Sequence, residues 1–125
     1  MNPRDASSHA RAFALSLPGA SEAHPWGETV IKVNVGSKPK IFVFLGTAED
    51  WPFGLGVKLP SSGMAALERS DAEPTGYGPG KSGWVSFRFQ GPPEPAQIEA
   101  WVFESFAAVA PKKLVHAALA ARRGL

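Results

Sequence analysis

No cysteine occurs in this 125-residue chain. That excludes a disulfide framework, a thiolate nucleophile and any cysteine-ligated zinc or iron–sulfur centre. Long apolar runs are missing as well. None is longer than Ile41–Leu45, far short of the roughly 20 residues that a membrane-crossing helix needs. The N-terminal stretch Met1-Asn2-Pro3-Arg4-Asp5 has a charge pair but no apolar core, so no secretory signal is expected. Histidines are few and scattered, at His9, His24 and His116, with no H-x-x-x-H spacing. Neither a nucleophile elbow nor a dinucleotide fingerprint is present. The glycine-rich stretch Gly76–Gly80 ends in Lys81-Ser82, but these residues run into a strand pattern and do not open a helix, so a phosphate loop is excluded too. The expectation is a cytoplasmic, non-enzymatic protein without metal, cofactor or membrane contact, either monomeric or weakly associating.

What is present is ordinary in amount and informative in arrangement. A hydrophobic fraction of 44% with 19% charge suits one globular domain over residues 1–125, large enough to bury a core. Net charge is only +2, yet its distribution is uneven. Val30–Leu45 carries Lys32, Lys38 and Lys40 and no acid. Gly76–Gly91 carries Lys81 and Arg88, and the tail from Pro111 carries Lys112, Lys113, Arg122 and Arg123, again without acids. Such polarity suits a polyanion, although solvated faces produce it as well.

Asn2-Pro3 opens a helix whose apolar positions Ala10, Phe13, Ala14 and Leu17 recur at helical spacing until Pro18-Gly19 stops it. Glu28–Val35 alternates, Gly36-Ser37-Lys38-Pro39 turns, and Lys40–Leu45 is rich in β-branched and aromatic residues. Together they predict a hairpin. A further strand is expected near Phe53–Leu59, then a short helix through Met64, Leu67 and Glu68 capped by Ser61 or Ser62. The Gly- and Pro-dense stretch Asp71–Gly83 reads as a surface loop. Trp84–Phe89 alternates as a half-buried strand. Ile98, Trp101, Val102, Phe106 and Val109 make a helical stripe from about Ala96, which Pro111 interrupts before a last short helix. The order α-β-β-β-α-β-α-α, with room for an extra short strand at residues 22–26, describes an α+β domain with a curved antiparallel sheet backed by helices.

In this order and spacing, several motifs resemble those of the MmcQ/YjbR family. They are Leu17-Pro18-Gly19 with Glu22, Pro25-Trp26-Gly27, the Lys32 and Phe42 strands, Val57-Lys58, Gly76-Tyr77, Lys81 and Trp84, Ser105-Phe106, and Pro111-Lys112-Lys113. The resemblance runs from about residue 10 to residue 119. It implies a frataxin-like (CyaY-like) fold and DNA binding through a double-wing surface of hairpins beside a helix. It carries no catalytic activity. Family members often place a basic residue and a histidine where this chain has Ser82-Gly83, so any role of that histidine is absent here. Frataxins hold iron on an acidic first helix, whereas this one has Asp5 against Arg4 and Arg11.

Candidate nucleic-acid contacts are Lys32, Lys38, Lys40, Lys81, Trp84 and Arg88. Lysines at a hairpin tip can touch phosphates, and they also guard strand edges against aggregation. Trp84 shares a strand face with Ser86 and Arg88. It can stack on a base between cations, or pack as a core aromatic under the aliphatic stem of Arg88. The expected partner is DNA, contacted at the phosphate backbone without sequence preference. The alternative is a small-ligand- or protein-binding module built on Trp26, Trp51 and Tyr77. Trp26 also reads as a structural corner between Pro25 and Gly27, and Trp101 reads as core.

Overall fold

A computed structural model of the chain describes residues 3–25, 29–45, 54–75, 83–89, 91 and 93–122. Four helices and six strands lie among them. The helices are α1 (Pro3–Leu15), α2 (Gly63–Ala66), α3 (Pro95–Val109) and α4 (Lys112–Arg122). The strands are β1 (Ala20–Ala23), β2 (Thr29–Val35), β3 (Lys38–Leu45), β4 (Leu55–Lys58), β5 (Ala72–Pro74) and β6 (Trp84–Phe87). They form one open antiparallel sheet in the order β1-β2-β3-β4-β6-β5.

One face of the sheet is sealed by helices. Ala6, Ala10 and Ala14 line the buried side of α1, and Ile98, Trp101, Val102 and Phe106 that of α3. They close over Ile31, Val33, Phe42, Val43, Leu55, Val57, Val85, Phe87 and Phe89. The alanines matter because they let α1 approach closely. Phe13 is only partly buried against this core, less than its place in the helical pattern predicts. Trp101 is core as expected, stacked on Phe87 with ring centroids 4.3 Å apart. The strand reading Trp84–Phe89 also holds in its essential point: Val85, Phe87 and Phe89 are all buried on the helix side. The long helix stops where Pro111 demands it, since Ala110 is driven to an extended conformation (φ −76°, ψ 153°).

Two expectations are corrected. Residues 71–83 are not all loop. Ala72–Pro74 pairs with β6 as an edge strand, where a proline is tolerated because its missing N–H can face outward. Neither serine hydroxyl caps α2. Ser62 makes no side-chain cap to the helix, and the capping group arrives from α3 instead. Glu104 Oε2 accepts from the Ser61 and Ser62 N–H groups, both at 2.9 Å, and Oε1 accepts from Ser62 Oγ at 2.5 Å. A carboxylate suits that position, where unpaired N–H groups point outward. The Asn2 cap lies outside the described residues.

An irregularity in the β2–β3 pairing decides which side chains share a face. Ile31 opposes Val43 while Lys32 opposes Ile41, so Phe42 is an extra residue, a β-bulge. Phe42 and Val43 both reach the core. The bulge is tied down by Ser105 of α3, which is fully buried. Its hydroxyl donates to the Phe42 carbonyl at 2.5 Å and accepts from the Lys58 N–H at 2.8 Å. Phe106 packs edge-on to Phe42 beside it, at 5.3 Å between ring centroids.

Candidate nucleic-acid interface

The longest hairpin of the sheet outreaches its neighbours. On the β2 side, β1 pairs only as far as Val33. On the β3 side, β4 pairs only with Val43–Leu45. Val35 to Lys40 therefore project as a two-stranded ribbon, closed by the two-residue turn Gly36-Ser37. Gly36 sits at φ 58°, which both favoured hairpin turns require at their first position. Lys38, Pro39 and Lys40 are exposed.

The register splits the three hairpin lysines. Directly opposed residues share a face. Lys40 opposes Val33 and Lys38 opposes Val35, so both lie on the helix side, whereas Lys32 opposes Ile41 on the outer side. The hairpin thus carries cations on both faces, Lys38 and Lys40 on the projecting ribbon and Lys32 at its base, where β2 still pairs with β1. A methyl group placed on Gly19 would come within 3.0 Å of Leu114 Cδ1 and 3.5 Å of Val33 Cγ2. Leu114 in the first turn of α4 thus packs at Gly19, beside Val33 of β2. Lys112 and Lys113, both exposed, join Lys38 and Lys40 on the helix side.

The outer face carries a second group. Lys58 opposes Trp84 across β4 and β6. Phe44 meets Trp84 edge-to-face, with ring centroids 5.3 Å apart at 71°. Trp84 and Phe44 are half-buried. Ser86 is buried and bonded to Thr75 Oγ1 at 2.7 Å. Arg88 is exposed just past β6, and its N–H bonds the Asp71 carbonyl at 2.8 Å. Hence Lys32, Trp84 and Arg88 share the outer side and Lys38 and Lys40 the other. The structure does not gather all of them into one patch. Lys81 lies outside the described residues, as do Trp26, Trp51 and Tyr77. Lys58 and Phe44 were missed. Lys58 was legible as a cation next to Val57, but its position opposite Trp84 is a matter of strand pairing.

Away from the ribbon, several charged groups pair with one another. Arg69 grips Asp71 through two 2.8 Å bonds and lies over Phe89 and Trp101, 5.9 and 5.8 Å from their centroids. It stands between two open clefts of about 580 and 500 Å³, one with Arg88 and Glu73, the other with Gln97 and Trp101. Glu22 takes Arg11 on one oxygen and His24 Nε2 on the other, the latter at 2.8 Å, and His24 Nδ1 lies 3.3 Å from Thr29 Oγ1. Hydrogen bonding from Arg11 holds the Glu22 carboxyl below its ordinary value. Burial opposes that lowering, and the charge of Arg11 and the His24 contact add to it. His9 and Glu99 join α1 to α3 at 3.0 Å. Among the described residues, no three histidine or carboxylate groups are placed to hold a metal ion. No described helix is long and apolar enough to cross a membrane.

With this geometry established, comparison with known proteins is direct. The YjbR family model matches residues 15–108, from the end of α1 to the end of α3. The chain belongs to the YjbR family. The fold agrees with the crystal structure of Deinococcus radiodurans protein DR2400, described as a DUF419 domain. The two are 22% identical over 90% of this chain and 83% of that one, with a TM-score of 0.70. No curated protein is similar enough to count as a match. The YjbR match encloses the ribbon, the Phe44–Trp84 pair and Ser105, and leaves α4 with Lys112 and Lys113 beyond it.

Proposed function

We propose that this YjbR-family chain is a non-catalytic, sequence-indifferent DNA-binding protein whose contact element is the β2–β3 ribbon. The observation that carries this reading is the projection of an exposed two-stranded ribbon bearing Lys38 and Lys40, with Lys32 on the opposite face at its base. No acid occurs between Thr29 and Leu45. A ribbon of this width fits a DNA groove. Lys38 and Lys40 on the ribbon, with Lys112 and Lys113 on the same side of the sheet, can then meet the phosphates of one wall, and Lys32 at its base those of the other. Such contacts position a protein without reading bases.

Fluorescence anisotropy of a labelled duplex across a salt series tests the reading. Neutralising about four phosphates gives a log–log slope near −4, each contact contributing about −0.9. Lys38→Ala and Lys40→Ala should each weaken binding on every sequence and flatten that slope by about one unit. Absence of duplex binding at low salt, with the protein folded, would leave the lysines as guards of an exposed strand edge.

A further inference from the structure

The outer face of the sheet holds a feature that groove binding by the ribbon does not use. Phe44 lies across β4 to meet the edge of Trp84, and the strand residue beneath it is Gly56. A Cβ at Gly56 would stand 3.2 Å from Phe44 Cβ, so the glycine opens the notch that lets the ring lie there. Glycine inside a strand otherwise weakens it, and close approach is a physical reason for its presence. Val30, opposite Phe44 and fully buried, backs the Phe44 ring and offers no contact surface itself. Lys58 flanks the Phe44–Trp84 pair directly opposite Trp84, and Lys32 lies two strands away on the same face, about 9–10 Å at ordinary strand spacing. Among the described strand residues of this face, the one acid is Glu73, opposite Ser86 on the strand next to that of Trp84. An oriented, half-buried indole with Lys58 on the neighbouring strand and Lys32 two strands beyond it matches the chemistry of single-stranded nucleic acid. Bases stack on aromatic rings while cations follow the backbone.

We infer that the Phe44–Trp84 pair, with Lys58, is a binding platform for single-stranded DNA, separate from the projecting ribbon and adjoining its base at Lys32. The inference deepens the DNA-binding reading and rests on it. An edge-to-face neighbour fixes the indole plane before binding, so little side-chain freedom is lost when a base settles on it.

The test uses the full chain with oligothymidine of about 12 nucleotides and with a duplex of equal length, followed by tryptophan quenching and by anisotropy. The expected result is that Trp84→Ala weakens oligothymidine binding about tenfold and leaves the duplex nearly unaffected. Lys58→Ala should flatten the single-strand salt slope by about 0.7, and Lys38→Ala should act mainly on the duplex. Trp84→Phe covers the case in which Trp84→Ala does not fold. It should retain part of the single-strand affinity and lose several-fold. Duplex binding with no oligothymidine binding overturns the platform and leaves the ribbon reading standing. So does oligothymidine binding that neither Trp84→Phe nor Lys58→Ala alters. Binding of neither DNA overturns both.

Discussion

The hydroxyl of Ser105 bonds a carbonyl of β3 and an N–H of β4 at once, with no exposure to water. Replacing it by alanine strands a buried acceptor and a buried donor, each costing about 1–3 kcal/mol. Ser105→Ala should therefore lower the urea midpoint markedly, whereas Ser16→Ala on the exposed end of α1 should not. Trp101→Ala empties a site stacked against Phe87 and should cost roughly 3–5 kcal/mol, measured in the same way. Glu22 makes a pH-dependent prediction. Its folded-state carboxyl is lowered below the ordinary value of 4.5, chiefly by the Arg11 hydrogen bond. The stabilisation is thus fully present above pH 4.5 and is lost as pH falls through the lowered value. Glu22→Gln should be less stable than the parent near neutrality, and the two denaturation curves should converge in acid. A gap that persists unchanged below that range would mean that Glu22 acts by shape and not by charge. The resemblance noted in the sequence includes Glu22 and Ser105, and the structure supplies a physical reason for each. What the residues alone did not disclose was partnership: Glu104 as the cap of α2 comes from about 40 residues away.

Elements were legible where periodicity was strong. The Thr29–Val35 strand, its hairpin and the α3 stripe all follow from alternation or helical spacing. Two features lacked such a signal. Ala72-Glu73-Pro74 is too short to alternate and contains a proline, and only pairing with β6 makes it a strand. The bulge at Phe42 hides in Ile41–Leu45, an unbroken apolar run in which facing cannot be read from residue type. That same run concealed Phe44 as an outer-face residue. The ribbon itself yields an element-level prediction. Gly36 has no atom within 4 Å of the position a side chain would take, so its constraint is the positive φ alone. Gly36→Ala should cost about 1–2 kcal/mol through backbone strain, with the β2–β3 register retained. Amide exchange across Val33–Lys40 would detect this as faster opening of the ribbon. Gly56→Ala differs in kind, because it meets Phe44 and should disturb the outer face while leaving the turn intact.

Across the whole molecule, net charge of +2 conceals a separation by face that only the fold makes visible. Three acid-free segments were evident in the sequence. The fold then divides their cations, with Lys38, Lys40, Lys112 and Lys113 to the helix side and Lys32 and Arg88 to the outer side, where Lys58 joins them. Parity through a bulge and the packing of α4 at Gly19 are tertiary facts, so the division was not available from composition. The central claim is that the projecting ribbon is the surface that meets DNA. The most direct measurement is a ¹H–¹⁵N titration of the assigned protein with a short duplex at low salt. Amide shifts concentrated at Lys32–Ile41 and at Lys112–Lys113, and reversed by added salt, are the predicted result. Shifts confined to the α2 region around Ser62–Leu67, or none anywhere at saturating duplex, would contradict it.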